Sequence, residues 1–305
     1  MAHSLDRRQF LARSAQGAGG LLLAQSALPN LWANEAKKEL FHISCTEYSL
    51  HRMIAKGDLD NLDYAPFVKK EFGIDAVEYW NRPFMGKAED KNYIADMRKR
   101  ADDAGVRATC ILVDGEGDLG HADEKQRIQA VENHKKWIVC AKQLGCYSIR
   151  VNARGKGTYE EQLAQAADGL HRLAEFGGSH EIAVIVENHG GLSSNGEWLA
   201  KVMTKVGLKN CGTLPDFGNF HEYDRYKGCE ELMPFAKLVS AKSHDFDENG
   251  NETRTDYERM MKIVVDSGYR GDVGIEYEGG KLSEVEGVKA TKKLLERVRE
   301  KLLQA

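Results

Sequence analysis

A parallel (β/α)8 barrel is the fold class this sequence predicts, and three observations point there. Strand-like and helix-like segments alternate along the chain, the signature of parallel α/β architecture. Several strand candidates, such as Val184-Ile185-Val186, are continuous apolar runs without alternation, as expected of strands buried on both faces. The alternation yields eight strand–helix units in about 270 residues, near the roughly 250 that such a barrel uses. A doubly wound sheet is the alternative. It would normally carry a phosphate-binding turn, and neither GxGxxG nor GxxxxGK[ST] follows a strand candidate.

The elements follow in order. A first strand at 41–46 leads to a helix at 61–72, closed by Gly73, and a strand at 76–80. A helix at 91–104 ends at Gly105 before a strand at 107–113, and a helix at 123–144 ends at Gly145 before a strand at 147–152. Glycines in these places suit left-handed helix caps. Thr158-x-x-Glu161 is a capping box that opens a helix at 158–176, ahead of a strand at 182–187. Then come a helix at 195–206, a strand at 212–216, a short helix at 230–238 and a strand at 238–244. A helix at 256–266 is followed by Gly268, a strand at 273–276 and a last helix at 283–303, opened by a second capping box, Ser283-x-x-Glu286. No composition break divides the region 38–305, which reads as one domain.

Composition is ordinary for a globular protein, with 42% hydrophobic and 30% charged residues. The formal charge of −4 argues against a nucleic-acid surface, which wants clustered Lys and Arg. The six cysteines show no CxxC spacing and read as small buried hydrophobes. Residues 1–33 read as an export signal. Arg7-Arg8-Gln9-Phe10-Leu11 precedes an uncharged run from Ser14 to Ala33, with a cleavage site at Leu31-Trp32-Ala33. That run is too polar for a membrane span. The arginine pair resembles the twin-arginine class, which carries folded proteins. The expectation is a periplasmic protein that starts near Asn34 and can be loaded with metal before export.

Four apolar runs each end in a residue type that binds divalent metals: Glu187, Asp216, His244 and Glu276. In a parallel barrel all strand ends open on the face that carries the active site. One Asp, one His and two Glu meeting there would hold one hard ion and leave positions open for substrate.

The segments Ile185-Val186-Glu187-Asn188-His189-Gly190-Gly191, Leu214-Pro215-Asp216-Phe217-Gly218-Asn219, Ala241-Lys242-Ser243-His244-Asp245-Phe246-Asp247 and Gly274-Ile275-Glu276-Tyr277-Glu278-Gly279 resemble the xylose-isomerase-like TIM-barrel superfamily. Its sugar isomerase/epimerase group includes ketose 3-epimerases, inosose dehydratase and hydroxypyruvate isomerase. The resemblance covers essentially the whole chain after the signal. It implies one Mn²⁺ or Mg²⁺ (or Co²⁺ or Zn²⁺) held by Glu187, Asp216, His244 and Glu276, with Glu187 and Glu276 also the acid/base pair. The seventh-strand ligand has two readings. Many relatives carry His-x-Lys there, and aligning Ala241-Lys242 on it puts Ser240 where the His belongs. Ser240 and His244 share strand parity. His244 is preferred, because Ser is a poor ligand and His244 lies nearer the strand end.

Moving a proton between adjacent carbons of a sugar needs a base for the C–H and an electrophile for the enediolate. Lys242, pointing inward, either stabilises that oxyanion or pairs with a neighbouring Glu. His189, Arg150 and Asn219 are candidates for binding substrate hydroxyls, His189 equally for a structural hydrogen bond. Tyr48 and Trp80 could stack on a sugar face or simply pack. The segment 221–226 reads as a solvated lid.

The expected function is metal-dependent isomerisation or epimerisation of an unphosphorylated sugar or keto-sugar. The alternatives are a lyase or dehydratase acting on a keto-glycoside or inosose, and a non-catalytic sugar-binding protein. A trinuclear-zinc endonuclease would need further His ligands. No phosphate cradle is evident beyond Gly190-Gly191. The related barrels commonly form dimers or tetramers, so a homo-oligomer is allowed for.

Overall fold

The computed structural model describes residues 40–304, so the export-signal reading of 1–33 lies outside the described residues. Within them, the eight predicted strands form. They are β1 (His42–Thr46), β2 (Ala76–Trp80), β3 (Arg107–Leu112), β4 (Ser148–Val151), β5 (Ala183–Glu187), β6 (Cys211–Leu214), β7 (Val239–Ser243) and β8 (Asp272–Tyr277). All ladders are parallel, and the strand order is β6-β5-β4-β3-β2-β1-β8-β7. The two end strands meet through a parallel bridge between Asp216 and Ser240. There Ser240 N donates to the Pro215 carbonyl at 2.9 Å and Phe217 N to the Ser240 carbonyl at 3.1 Å. Closure therefore runs through the segment that carries a predicted metal ligand.

The helices are α1 (His51–Lys56), α2 (Tyr64–Phe72), α3 (Lys91–Asp103), α4 (Glu124–Leu144), α5 (Tyr159–Ser179), α6 (Gly196–Val206), α7 (Arg225–Leu232), α8 (Tyr257–Asp266) and α9 (Glu284–Gln304). Among the described residues, none is long and apolar enough to cross a membrane. The Thr158–Glu161 capping box opens α5 with both reciprocal hydrogen bonds. Ser283 and Glu286 make the same pair at α9. Gly145 caps α4 in the left-handed conformation, as its place after a helical pattern implied.

One helix is displaced from its expected position. The short helix expected at 230–238 is observed as α7, five residues earlier at its start and ending at Leu232. Asp224 caps it by accepting from the backbone N–H groups of Tyr226 and Lys227. Pro234 cannot continue a helix and sits in a single 3-10 turn. Part of the expected lid at 221–226 is thus the start of a helix, while His221 and Glu222 are exposed. α1 and the 3-10 turns at Glu47–Leu50 and Arg82–Lys87 were not legible as periodic patterns.

The main core lies between strands and helices, where Trp137 and Trp198 are fully buried. Each such ring removes about 150–250 Å² from water, worth roughly 4–6 kcal/mol. Inside the barrel a small apolar plug of Cys110, Ile185, Leu214 and Leu238 lies one strand layer below the ends of β5 to β7. Glu78 is also interior, bound by the hydroxyls of Ser44, Thr46 and Thr109. Gly274 makes room for it, since a Cβ there would stand 2.4 Å from a Glu78 oxygen. Burial pushes the Glu78 carboxyl up to about 7. The six cysteines are free and buried.

Candidate active site

Strand parity decides which side chains reach the mouth. On β5, Ile185 belongs to the interior plug, so Glu187, two residues on, faces the barrel axis at the carboxyl end. Leu214 places Asp216 in the same way, and Leu238 places Ser240 and Lys242. On β8, Glu276 pairs in register with Lys242.

Glu187, Asp216 and Glu276 offer carboxylate oxygens that lie within 4.8 Å of one another, and all three residues are buried. Three hard oxygen donors at this spacing suit a divalent ion such as Mg²⁺, Mn²⁺ or Zn²⁺. They are not equivalent. Asp216 Oδ1 accepts from the backbone N–H groups of Gly218 and Asn219, both at 2.9 Å, and Oδ2 from Ser240 Oγ at 2.5 Å. Asp216 is therefore locked from behind, while Glu187 and Glu276 line the cavity. Asn219 donates to Glu187 Oε1 at 2.8 Å.

Two cations balance this charge. Lys242 Nζ lies 3.0 Å from Glu276, 3.0 Å from Glu278 and 3.8 Å from Asp216. Arg150 Nε lies 3.0 Å from Glu187 Oε2, without hydrogen-bond geometry, and Nη1 lies 2.9 Å from Asp114 Oδ1. Burial, helped by the charges of Glu187 and Glu276, raises the Asp216 carboxyl well above the usual range against the pull of Lys242. Burial acts the same way on Glu276, but Lys242 and Arg150 outweigh it and hold that carboxyl below its ordinary value. Burial disfavours the Lys242 ammonium, yet Asp216, Glu276, Glu187 and Glu278 together drive its pKa well above normal.

The structure sets the two candidates for the seventh-strand ligand apart. β7 ends at Ser243, so His244 has left the strand before parity can aim it at the axis. Its backbone N–H donates to Glu252 at 3.2 Å, and its charged neighbours include Arg254 and Asp245. The residue beside Asp216 is Ser240. His244 is outside the carboxylate group found among the described residues.

The other expected residues fall in two places. Arg150 and His189 line a cavity of about 370 Å³, with Tyr48, Trp80, Asp114 and Glu278. This volume is within the range of roughly 300–1,000 Å³ usual for small-molecule sites. His189 Nδ1 lies 2.8 Å from Asn152 Oδ1. Lys242 and Asn219 sit behind the carboxylates and bond to each other at 3.2 Å. The pairing reading of Lys242 is thus the observed geometry. Asp114, one of the polar residues that the earlier strand ends offer, is an anchor to which the sequence assigned no role. It accepts from Arg150, from Asn152 at 2.9 Å and from Trp80 Nε1 at 3.0 Å. Arg150 leads these in holding its carboxyl far below the usual range in spite of burial. Its place two residues past the inward-facing Leu112 was the available signal.

Comparison with known proteins agrees with this architecture. A stretch of 49 residues is 45% identical to the C-glycoside deglycosidase alpha subunit of Arthrobacter globiformis, spanning 16% of this chain and only 14% of that subunit. Among solved structures, the IOLI protein with a bound zinc atom superposes with a TM-score of 0.69 at 15% identity, covering 86% of this chain and 99% of the other. The 3-keto-D-glucoside 4-epimerase from E. coli superposes with a TM-score of 0.64 at 14% identity, covering 78% and 94%. At these identities the structures share the fold. Residues 68–301 match the family described as xylose isomerase-like TIM barrel, and the chain belongs to that family.

Proposed function

We propose that this protein is a divalent-metal-dependent isomerase or epimerase of an unphosphorylated sugar or keto-sugar, working in the periplasm. The observation that carries the reading is the gathering of Glu187, Asp216 and Glu276 at the barrel mouth, with two of the three carboxylates lining the cavity. The donor set fits a hard divalent ion, held by these three residues. When bound, the ion supplies Lewis-acid polarisation of neighbouring substrate oxygens, which acidifies the C–H between them.

The chain's own residues do the rest. Glu187 and Glu276 approach the cavity from β5 and β8. One carboxylate removes the proton next to the carbonyl, and the other returns a proton to the opposite face or the adjacent carbon. Arg150, fixed by its ion pairs and lining the cavity, stabilises the negative charge that passes to the substrate oxygen, while Lys242 holds Glu276 from behind. Asp216, tied by Ser240 and two backbone N–H groups, keeps the geometry. The cavity lining carries Asp114, Asp118, Glu187, Glu276 and Glu278 against Arg82, Arg150 and Arg154, a balance that favours an uncharged polyol over a phosphate ester. The arginine pair near the amino terminus supports export.

A second reading is favoured by the deglycosidase match. The same proton abstraction, followed by expulsion of a β-substituent, makes the protein a lyase on a keto-glycoside. One experiment separates them: incubation in D₂O with keto-sugars and keto-glycosides, alongside metal analysis. Deuterium entering a recovered or epimerised sugar supports the first reading, and release of water or an aglycone supports the second. Binding without either, unchanged in Glu276→Gln, would show a sugar-binding protein and refute both.

A further inference from the structure

The cavity extends past the carboxylates to a wall that the reaction above does not use. Gly115, Gly117 and Asp118, from the loop after β3, and His134, from α4, line that part. His134 is 3% exposed. Its Nδ1 lies 2.7 Å from the Ala130 carbonyl, one turn back on the same helix. A carbonyl only accepts, so Nδ1 carries the hydrogen and Nε2 presents a bare lone pair. Burial holds the imidazole pKa below its ordinary value, in keeping with the neutral ring. Nε2 has no hydrogen-bond partner among the described residues. It is not sealed either, since the one sealed and unpaired side-chain N or O found there is Arg150 Nε. Nε2 therefore opens into the cavity.

The wall is built, not incidental. Glu116, between the two lining glycines, turns into the protein and accepts from Trp137 Nε1 at 2.7 Å and Lys136 Nζ at 3.0 Å. Its carbonyl accepts from Asn133 at 3.1 Å. Gly117, at φ +97°, presses against Ala130, whose Cβ would stand 3.1 Å from a Cβ at position 117. Loop and helix are thus locked together around His134. This wall presents His134 Nε2 and the Asp118 carboxylate as acceptors, beside the Arg82 guanidinium that stands against Gly115.

We infer that His134, with Asp118, forms a subsite that binds a hydroxyl donor on a part of the substrate remote from the reacting carbons. The ligand class is a hydroxyl-bearing ring or substituent beyond the sugar unit that reacts. Naming the ligand a sugar rests on the function proposed above, whereas the open acceptor at His134 does not.

The test uses the full chain and two probes, the methyl glycoside of 3-keto-glucose and a 3-keto-glucose disaccharide whose second ring carries free hydroxyls. The ¹⁵N resonance of His134 Nε2 is followed while each probe is titrated, and affinities are compared for wild type, His134→Phe and His134→Gln. The inference expects the Nε2 resonance to move on binding of the disaccharide. It expects affinity to fall about 2- to 12-fold in His134→Phe, the loss of one hydrogen bond, with partial recovery in His134→Gln and kcat unchanged. A resonance unmoved by either probe, or His134→Phe binding as wild type does, overturns the subsite regardless of turnover. A moving resonance with no deuterium exchange or aglycone release refutes the proposed reaction and leaves the subsite standing.

Discussion

Replacing Lys242 by Met removes the charge that balances the carboxylate cluster while keeping an unbranched side chain of similar bulk. The 3.0 Å pair with Glu276 is worth 332/(20 × 3.0), about 5.5 kcal/mol, at an effective dielectric near 20. Glu278, at 29% side-chain exposure, adds a screened and smaller amount at the same distance. The variant also escapes the cost of burying an ammonium, which offsets part of the loss. Breaking a buried pair from one side leaves about 3–5 kcal/mol of destabilisation. Urea unfolding of both proteins in a chelator should show that gap, with unchanged m-value. Saturating Mg²⁺ should then narrow it, because the ion neutralises what the ammonium left exposed. Divalent affinity should accordingly rise at least tenfold, about 1.4 kcal/mol, in Lys242→Met. A gap below about 1 kcal/mol, or one that divalent ions leave untouched, would refute the view that Lys242 and a bound cation answer to the same carboxylates.

Three further predictions follow from the geometry. Glu187→Gln and Glu276→Gln should each slow turnover by about 10²–10⁴ while leaving the circular dichroism spectrum intact; retention of more than a tenth of the wild-type rate would remove that residue from the proton-transfer pair. Glu47, fully buried and accepting from Asn61 and the Trp80 N–H, is pushed by burial from 4.5 up to about 8. The folded state then holds the proton more tightly than the unfolded one, so this group costs stability progressively as pH rises from about 4.5 to about 8. At about 1.36 kcal/mol per pH unit the cost reaches roughly 5 kcal/mol. Glu47→Gln should flatten that part of the stability–pH curve, and a curve parallel to wild type would count against it. Thr158→Ala removes the capping box of α5 and should lower stability by about 1 kcal/mol in the same unfolding assay.

Much of the barrel was legible because its strands and caps are local events. Val184-Ile185-Val186 reads as a strand buried on both faces wherever it occurs, and Thr158 with Glu161 closes a helix start through neighbours three residues apart. The displaced α7 shows the limit of periodicity. Weak apolar patterning hid a helix start that Asp224 marks and an end that Pro234 enforces. In the site, the carboxylates of β5, β6 and β8 were readable because a ligand type at a strand's carboxyl end has one direction to face. The seventh strand was not. Ser240 and His244 have equal parity, and what separates them is where β7 stops, which depends on its pairing with β8 and its bridge to Asp216.

The sequence by itself therefore determined the order of strands and helices, the barrel class and three carboxylates at one end. These rest on residue type, period and spacing along the chain. Only the tertiary structure decided that Ser240, not His244, stands beside Asp216. It also brought Lys242 within 3.0 Å of both Glu276 and Glu278, tied Arg150 to both Glu187 and Asp114, and turned a buried helical histidine toward the cavity. Each of these is a meeting of groups distant in sequence, settled by barrel closure and by the need of every buried charge to find a partner.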